Sequence, residues 1–464
     1  MVRFMKQRTK VAAIVSVGVF VASLDLFIVN IAFPDIESDF NGTSLSSLSW
    51  ILNAYAIVFA ALLIPAGRWA DRAGRKRAFL IGMGVFTLSS ALCAAAPSVG
   101  VLIAARVLQA GGAALLMPTS LGLLLPEFPP ERRQVAVGIW AAVGGAAAAA
   151  GPLFGGLLVQ ASWRWVFLVN VPIGVAAIIA GARTLRELRE PATERADALG
   201  AVLLTGAIGA LTLAIVKAPA WGWGGGRTIA LFAAAIVLGA GVAARSTRHP
   251  APVIELAVVR VRAFSLSAVA MLLFSVAFAA MLLSNVLLLT QGWHESILRA
   301  GLQLAPGPAM AALTAVPASL LAQRVGPRLV GFAGTLVFAA SVGLLAVSAG
   351  ETPHFATDFL PGMALGGIGV GLVLPSVQGA AMATLPPELF STGTAKITMA
   401  RQVGAALGIA LLVAVIGTPS AGHVVEAFQP VWRVELFAAL AAGGAMLAVG
   451  RNRATAPVPA AVTA

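Results

Sequence analysis

Val11-Ala-Ala-Ile-Val-Ser-Val-Gly-Val-Phe-Val-Ala-Ser-Leu-Asp25-Leu-Phe-Ile-Val-Asn-Ile-Ala-Phe33 decides how the rest of the chain is read. A helix needs about 20 apolar residues to cross a bilayer, and this run is long enough. Asp25 lies inside it and reads as the one acid, of 18 Asp and Glu, placed in a membrane segment. A carboxylate in hydrocarbon is expensive and marks a functional site by default. The alternatives are a structural ion pair or a residue reaching up to the lipid surface, but Asp25 is deep for the latter.

The surrounding composition agrees. Of 464 residues, 59% are hydrophobic and 11% charged, against about 25% charged in soluble domains. The chain reads as an all-α integral membrane protein, since spanning strands would alternate apolar and polar residues. The basic flank Arg3, Lys6, Arg8 and Lys10 resembles the start of a signal peptide. The apolar run is too long for one and no small-residue cleavage pattern precedes Pro34, so it is expected to remain as a span. A single cysteine, Cys93, excludes an intramolecular disulfide and a cysteine metal site.

Fourteen apolar segments follow one another, the first at about 11–33 and the last three at 358–384, 397–418 and 432–450. With both ends placed in the cytoplasm, Lys and Arg crowd the inner loops, above all the N-terminal arm, Arg68–Arg77, Arg183–Arg195 and Arg245–Arg262. Only Arg164, Lys217, Arg227, Arg299 and Arg433 fall outside, and Arg106 and Arg401 remain within spans. This asymmetry fixes the orientation. It also explains the net charge of +13 as topology, so no nucleic-acid partner is expected.

The chain repeats itself weakly. Pro65 and Ala70-Asp71-Arg72-Ala73-Gly74 return as Pro317 and Ala322-Gln323-Arg324-Val325-Gly326, and Leu125-Pro126 is echoed by Leu385-Pro386. Two six-helix bundles, 1–190 and 260–464, with a two-helix insert at 191–259, fit this pattern. Repeated halves around a central site are a transporter architecture.

Depth then selects partners. Asp25 lies eight residues before the outer end of span 1, about 12 Å, and Arg106 about 10 Å below the same surface in span 4. They are expected to share an outward-opening cavity, with Gln109 on the Arg106 face. The arginine favours the carboxylate and dehydration favours the acid, so such a site can load a proton in one conformation and release it in another. A permanent structural pair is the competing reading. Gly67-Arg-Trp-Ala-Asp71-Arg72-Ala-Gly74-Arg75-Lys-Arg77 reads as a tight cytoplasmic turn in which Asp71 among cations acts as a gate. Gly151-Pro152-Leu-Phe-Gly155-Gly156 offers either a hinge or a close helix crossing. Asn30, Asn53, Tyr55, Gln109, Asn285, Gln378, Arg401 and Gln402 are candidates for a cavity wall, with Arg401 near the inner end of span 13. The four histidines, His249, His294, His354 and His423, fall in loops away from any acid cluster, and no phosphate-binding Gly-Lys-Ser/Thr loop exists. An enzyme, a metal site and ATP-driven pumping are therefore not expected.

These motifs resemble those of the fourteen-helix drug/proton antiporters of the major facilitator superfamily, over nearly the whole chain. Leu24-Asp25 through Pro34 resembles the family's first-span motif, Gly67–Arg77 its loop 2–3 motif, and Arg106–Gly112 its span-4 motif linked to proton transfer. Gly151–Gly156 resembles the span-5 antiporter motif. Trp163–Pro172 and Thr398–Gly404 resemble stretches of the fourteen-helix branch. Ala110, Ala147, Leu26-Phe27 and Gln323 depart from those patterns without removing the charged centre. The resemblance implies a major facilitator fold in the cell membrane and export of a hydrophobic or amphipathic drug or antibiotic in exchange for protons. It implies no cofactor, the proton gradient being the energy source. The partners expected are a small hydrophobic substrate, protons and the lipid bilayer, and the protein is expected to be monomeric. Transport of another metabolite by the same fold is the main alternative, and a non-transporting membrane sensor the lesser one. With no membrane carboxylate expected in the second half, divalent cationic drugs are disfavoured.

Overall fold

The computed structural model describes residues 2–40, 43–129, 133–189, 196–350, 352–383, 385, 390–416 and 424–450. Arg132, Arg195, Pro386, His423, Arg451 and Arg453 lie outside the described residues. Fourteen of the described helices are long and apolar enough to cross a membrane. They are α1 (Val2–Asp39), α2 (Trp50–Ala73), α3 (Arg75–Ala94), α4 (Val99–Leu124), α5 (Arg133–Val159), α6 (Asn170–Thr184) and α7 (Ala198–Trp221). The chain continues with α8 (Gly226–Arg248), α9 (Arg262–Leu287), α10 (Pro306–Val325), α11 (Pro327–Ser348), α12 (Leu360–Met382), α13 (Phe390–Ile416) and α14 (Val424–Ala448). No strand occurs among the described residues.

Each helix forms because an apolar run in a dry environment has nowhere else to place its backbone hydrogen bonds. Local signals set the ends. The Ser98 hydroxyl accepts from the Val101 N–H (3.4 Å) to start α4, and the Asp197 carboxylate accepts from the Gly200 N–H (2.8 Å) to start α7. Several helices outrun their hydropathy. α1 continues through Pro34 to Asp39, because a proline in a helix forfeits only one backbone hydrogen bond.

Packing separates two groups of helices. In the first, α1 packs on α5, α2 and α3 on α4, and α3 on α6. In the second, α9 packs on α13 and α14, and α12 on α10 and α11. The pair α7 and α8 pack on each other, and α7 also touches α2 and α13. The groups meet where α2 crosses α13, with Ala56, Ile57, Val403 and Ala406 in one apolar cluster. They meet again where α5 crosses the short helix Ile297–Leu304. There a Cβ on Gly301 would lie 2.6 Å from the Pro152 carbonyl oxygen, and one on Gly156 would lie 3.3 Å from that of Ile297. Absent side chains let the two backbones touch. Gly151 and Gly155 face Phe27, Ile28 and Ile31 of α1 in the same way. All the glycines of this motif are therefore used as helix contacts, on α1 and across the boundary between the groups.

The repeat seen in the sequence has a backbone counterpart. Gly74 ends α2 with φ 109° and Gly326 ends α10 with φ 93°, and each N–H bonds the carbonyl four residues back, Ala70 and Ala322. A left-handed cap favours glycine, which is why both copies keep it.

Candidate functional site

Four helices bring together one buried polar cluster. Arg106 on α4 donates through Nη1 to Asp25 Oδ2 on α1 and to Gln109 Oε1 (2.6 Å), and through Nε to the Ile51 carbonyl on α2 (3.1 Å). Gln109 Nε2 donates to Asp25 Oδ1 (2.8 Å) and to Ser90 Oγ on α3 (2.9 Å). Its place beside Arg106 follows from the i,i+3 spacing on one helix face. The Tyr55 ring lies 4.1 Å from the guanidinium carbon, adding a cation–π contact. Asp25 is 0% exposed and Arg106 1%.

The pairing of Asp25 with Arg106 is present, but the outward-opening cavity is not. The site is sealed in this conformation because Gln109 and Tyr55, expected as cavity wall, are drawn into the cluster. Removing one member of a buried, hydrogen-bonded ion pair typically costs 3–5 kcal/mol. A cluster of this kind therefore holds α1, α2, α3 and α4 together as long as both charges are present.

The cytoplasmic loop is equally well bonded. Arg75 donates to Asp71 (2.8 Å) and to the Gly122 carbonyl of α4 (3.0 Å), while Arg72 is exposed. Gly67 packs α2 against Pro118, where a Cβ would approach to 3.3 Å. Glu187, beyond α6, accepts from the Lys76 N–H (3.0 Å) and the Arg77 N–H (3.3 Å) at the start of α3. A carboxylate suits the positive end of a helix. A Cβ on Gly74 would fall 2.4 Å from the Glu187 carboxyl carbon, so any side chain there has to push the carboxylate aside. Arg68 pairs with Glu255, in the segment before α9, and Glu255 also accepts from Lys396 Nζ of α13 (3.2 Å). Glu255 thus ties the loop to the second group of helices. Neither Glu187 nor Glu255 stood out in the sequence, because an acid in a basic loop looks like simple charge balance.

The remaining candidates scatter. Asn30 Nδ2 bonds the Leu26 carbonyl (2.7 Å) while its Oδ1 has no partner among the described residues. It lines, with Phe27, Pro152, Val286, Pro308 and Met363, a cavity of about 20 Å³ between the two groups of helices, room for about one water molecule. Asn285 Nδ2 donates to the Met363 sulfur (3.5 Å), and its Oδ1 has no hydrogen-bond partner among the described residues. Asn53 is 0% exposed and makes no side-chain hydrogen bond among the described residues. Gln378 donates to Thr394 (3.2 Å), which joins α12 to α13. Gln402 Nε2 has no described partner.

One reading needs correction. Glu435 is a second membrane acid, 0% exposed, its Oε1 accepting from Ser284 of α9 (2.8 Å) and its Oε2 without a partner. Hydropathy starts the last span at Trp432, which leaves Glu435 at its edge. The helix starts at Val424, so Glu435 lies eleven residues in, about 16 Å. The argument against cationic drugs from a missing carboxylate loses its premise. Arg401 lies five residues beyond Lys396, which meets Glu255 beside the cytoplasmic loop, so it stays toward the inner end of α13. Among the described residues no group of His, Cys, Asp and Glu is arranged to hold a metal ion.

Comparison with known proteins closes the question of class. Residues 15–409 match the Major Facilitator Superfamily. The tetracenomycin C resistance and export protein of Streptomyces glaucescens is 36% identical over 420 residues, 90% of this chain and 77% of that protein. A methylenomycin A resistance protein of Streptomyces coelicolor is 32% identical, covering 87% of this chain and 84% of its own. The multidrug resistance protein Stp of Mycobacterium tuberculosis is 32% identical, covering 88% and 76%. In fold, the crystal structure of the POT family transporter PepTSo superposes with a TM-score of 0.66 over 95% of this chain and 97% of that one, at 18% identity. With its fourteen spanning helices, the chain belongs to the Major Facilitator Superfamily, as a cell-membrane transporter related to antibiotic and multidrug resistance exporters and not as an enzyme.

Proposed function

We propose that the protein exports an amphipathic organic compound in exchange for protons, with Asp25 as the proton carrier and Arg106 as its electrostatic partner. The observation that carries this reading is the sealed cluster of Asp25, Arg106, Gln109 and Ser90 on three helices, with the Ile51 carbonyl of a fourth. Asp25 is held as a partner of Arg106 here. Arg106 favours the carboxylate and a dry surrounding favours the acid, so a conformational change that alters either one loads or releases the proton. Coupling follows if loading and release face opposite sides of the membrane. Gly67, Asp71, Arg72, Gly74 and Arg75 form the cytoplasmic gate, with Glu255 joining the two groups of helices at that side. Gly151, Pro152, Gly155 and Gly156 form the surface on which α5 moves against α1 and its partner across the boundary. The relatives named for resistance and export support the outward direction of transport.

The test is uptake of ethidium, fluorescein and fluorescein methyl ester into inside-out membrane vesicles, with an imposed pH gradient or with the gradient collapsed. Uptake of at least one dye that follows the gradient, and loses that dependence in Asp25→Asn at matched expression, is the expected result. Uptake by the wild type that ignores the gradient refutes proton coupling. A gradient response unchanged by Asp25→Asn refutes the role of Asp25.

A further inference from the structure

Arg401 differs from the charged side chains around it in the spanning helices. Asp25 and Arg106 are paired, and Glu435 is bonded by Ser284. Lys396, five residues before Arg401, is engaged by Glu255. Arg401 is half-buried and makes no hydrogen bond, ion pair or ring contact among the described residues. It sits five residues beyond Lys396 on α13, about 7.5 Å further into the helix bundle from the Glu255 contact. A guanidinium cannot escape by losing its proton. An unpaired cation in this environment needs water or a ligand to solvate it.

The place of Arg401 suits a ligand. α13 crosses the boundary between the two groups of helices on α2 and packs on α9. Arg401 shares its flank with Thr394, seven residues and two turns back, which Gln378 of α12 hydrogen-bonds. Gly404, one turn on, abuts the Leu272 carbonyl, where a Cβ would come within 2.2 Å. The flank is therefore held closely against α9. Among the described residues no free acid opposes it: Glu255 is shared by Arg68 and Lys396, Asp25 is held by Arg106, and Glu435 is 0% exposed. The accessible charge on this side of the interior is positive.

We propose that Arg401 is a substrate-recognition residue that selects organic anions, binding a carboxylate of the transported molecule. The proposal rests on the transporter reading above, and it names the substrate class of that protein without depending on proton coupling. A planar guanidinium offers two parallel N–H donors to a carboxylate, and a charge-assisted hydrogen bond in a dry site is worth far more than one in water. Cationic amphipaths meet the same charge and are disfavoured.

The test is equilibrium binding of fluorescein and of fluorescein methyl ester to the full-length protein in phosphatidylcholine nanodiscs, with no gradient present. The two probes share their ring system and differ in the carboxylate. Wild type is expected to bind the acid at least about tenfold more tightly than the ester. Arg401→Gln is expected to remove that preference while leaving ester binding within a factor of about two, and Arg401→Lys to keep part of it. Equal wild-type affinity for acid and ester, no binding of the acid, or a preference that survives Arg401→Gln overturns the proposal. The wild-type comparison stands even if the Gln variant does not fold. Because no gradient is involved, loss of this preference and loss of proton coupling in vesicles are separate results.

Discussion

Asp25 and Glu435 are both 0% exposed and both more than ten residues inside a spanning helix, yet their surroundings are opposites. Asp25 has both oxygens engaged, by an arginine and a glutamine. Glu435 has one serine on one oxygen and nothing described on the other. The first half of the chain has therefore matched its acid with a cation, and the second half has a cation, Arg401, that is matched with nothing described. Charge is balanced locally in one half and left open in the other. A proton carrier needs the first arrangement, and a site for a charged ligand needs the second.

The sharpest way to break this comparison is to remove the cation from the balanced half. Arg106→Gln strands the Asp25 carboxylate and is expected to lower unfolding free energy in detergent by about 3–5 kcal/mol. Adding Asp25→Asn to it is expected to recover at least about 1 kcal/mol, the signature of coupled neighbours. Glu435→Gln keeps an acceptor for Ser284 and breaks no ion pair. It is expected to change stability by less than about 1 kcal/mol. A loss at Glu435 as large as that at Arg106 would erase the contrast between the halves.

The two repeated loops give a second comparison of intermediate size. Gly74 and Gly326 have the same left-handed cap, but Glu187 fills the space beside Gly74 while nothing lies within 4 Å of a Cβ on Gly326. Gly326→Ala pays only for backbone strain, about 1 kcal/mol. Gly74→Ala must also expel the Glu187 carboxylate from the start of α3, and about 2–3 kcal/mol is expected. Thermal unfolding of the two variants side by side measures the difference, and equal losses would show that Glu187 contributes nothing to the loop.

The smallest effect belongs to the inserted pair α7 and α8. Burial alone would raise the Asp197 carboxyl, but hydrogen bonds from Arg245 and the Gly200 N–H, with the Arg245 charge, hold it below its ordinary range. A carboxyl lowered by folding stabilises the protein above its unfolded value of about 3.9 and loses that contribution as pH falls through its folded value. Asp197→Asn is expected to lower stability at neutral pH by about 1–2 kcal/mol. The gap to wild type should close in acid, as unfolding at stepped pH would record. A gap independent of pH would mean that the ion pair with Arg245 is not its source.

Much of this was legible from residues. Apolar length gave the spans, the Lys and Arg asymmetry gave the orientation, and equal depth brought Asp25 to Arg106. Gln109 was visible as a neighbour of Arg106 but not as the donor that completes the Asp25 site. Spacing places two residues on one face without saying what the face meets. The depth of Glu435 was misjudged because hydropathy sees the apolar part of a helix, whereas the backbone turns several residues earlier, over Val424-Val-Glu-Ala. Glu187 and Glu255 were invisible as site residues because their roles depend on which loops meet at the cytoplasmic face, and no local pattern encodes that.

The central claim is that the balanced acid, and not the unpaired one, exchanges the proton. It is tested most directly in proteoliposomes loaded with a pH-sensitive dye, where an imposed gradient of a transported compound from the vesicle screen drives proton movement. Wild type and Glu435→Gln are expected to move protons against the compound gradient at rates within about twofold of each other, and Asp25→Asn is expected to move none above protein-free liposomes. Proton movement that persists in Asp25→Asn and disappears in Glu435→Gln would contradict the account.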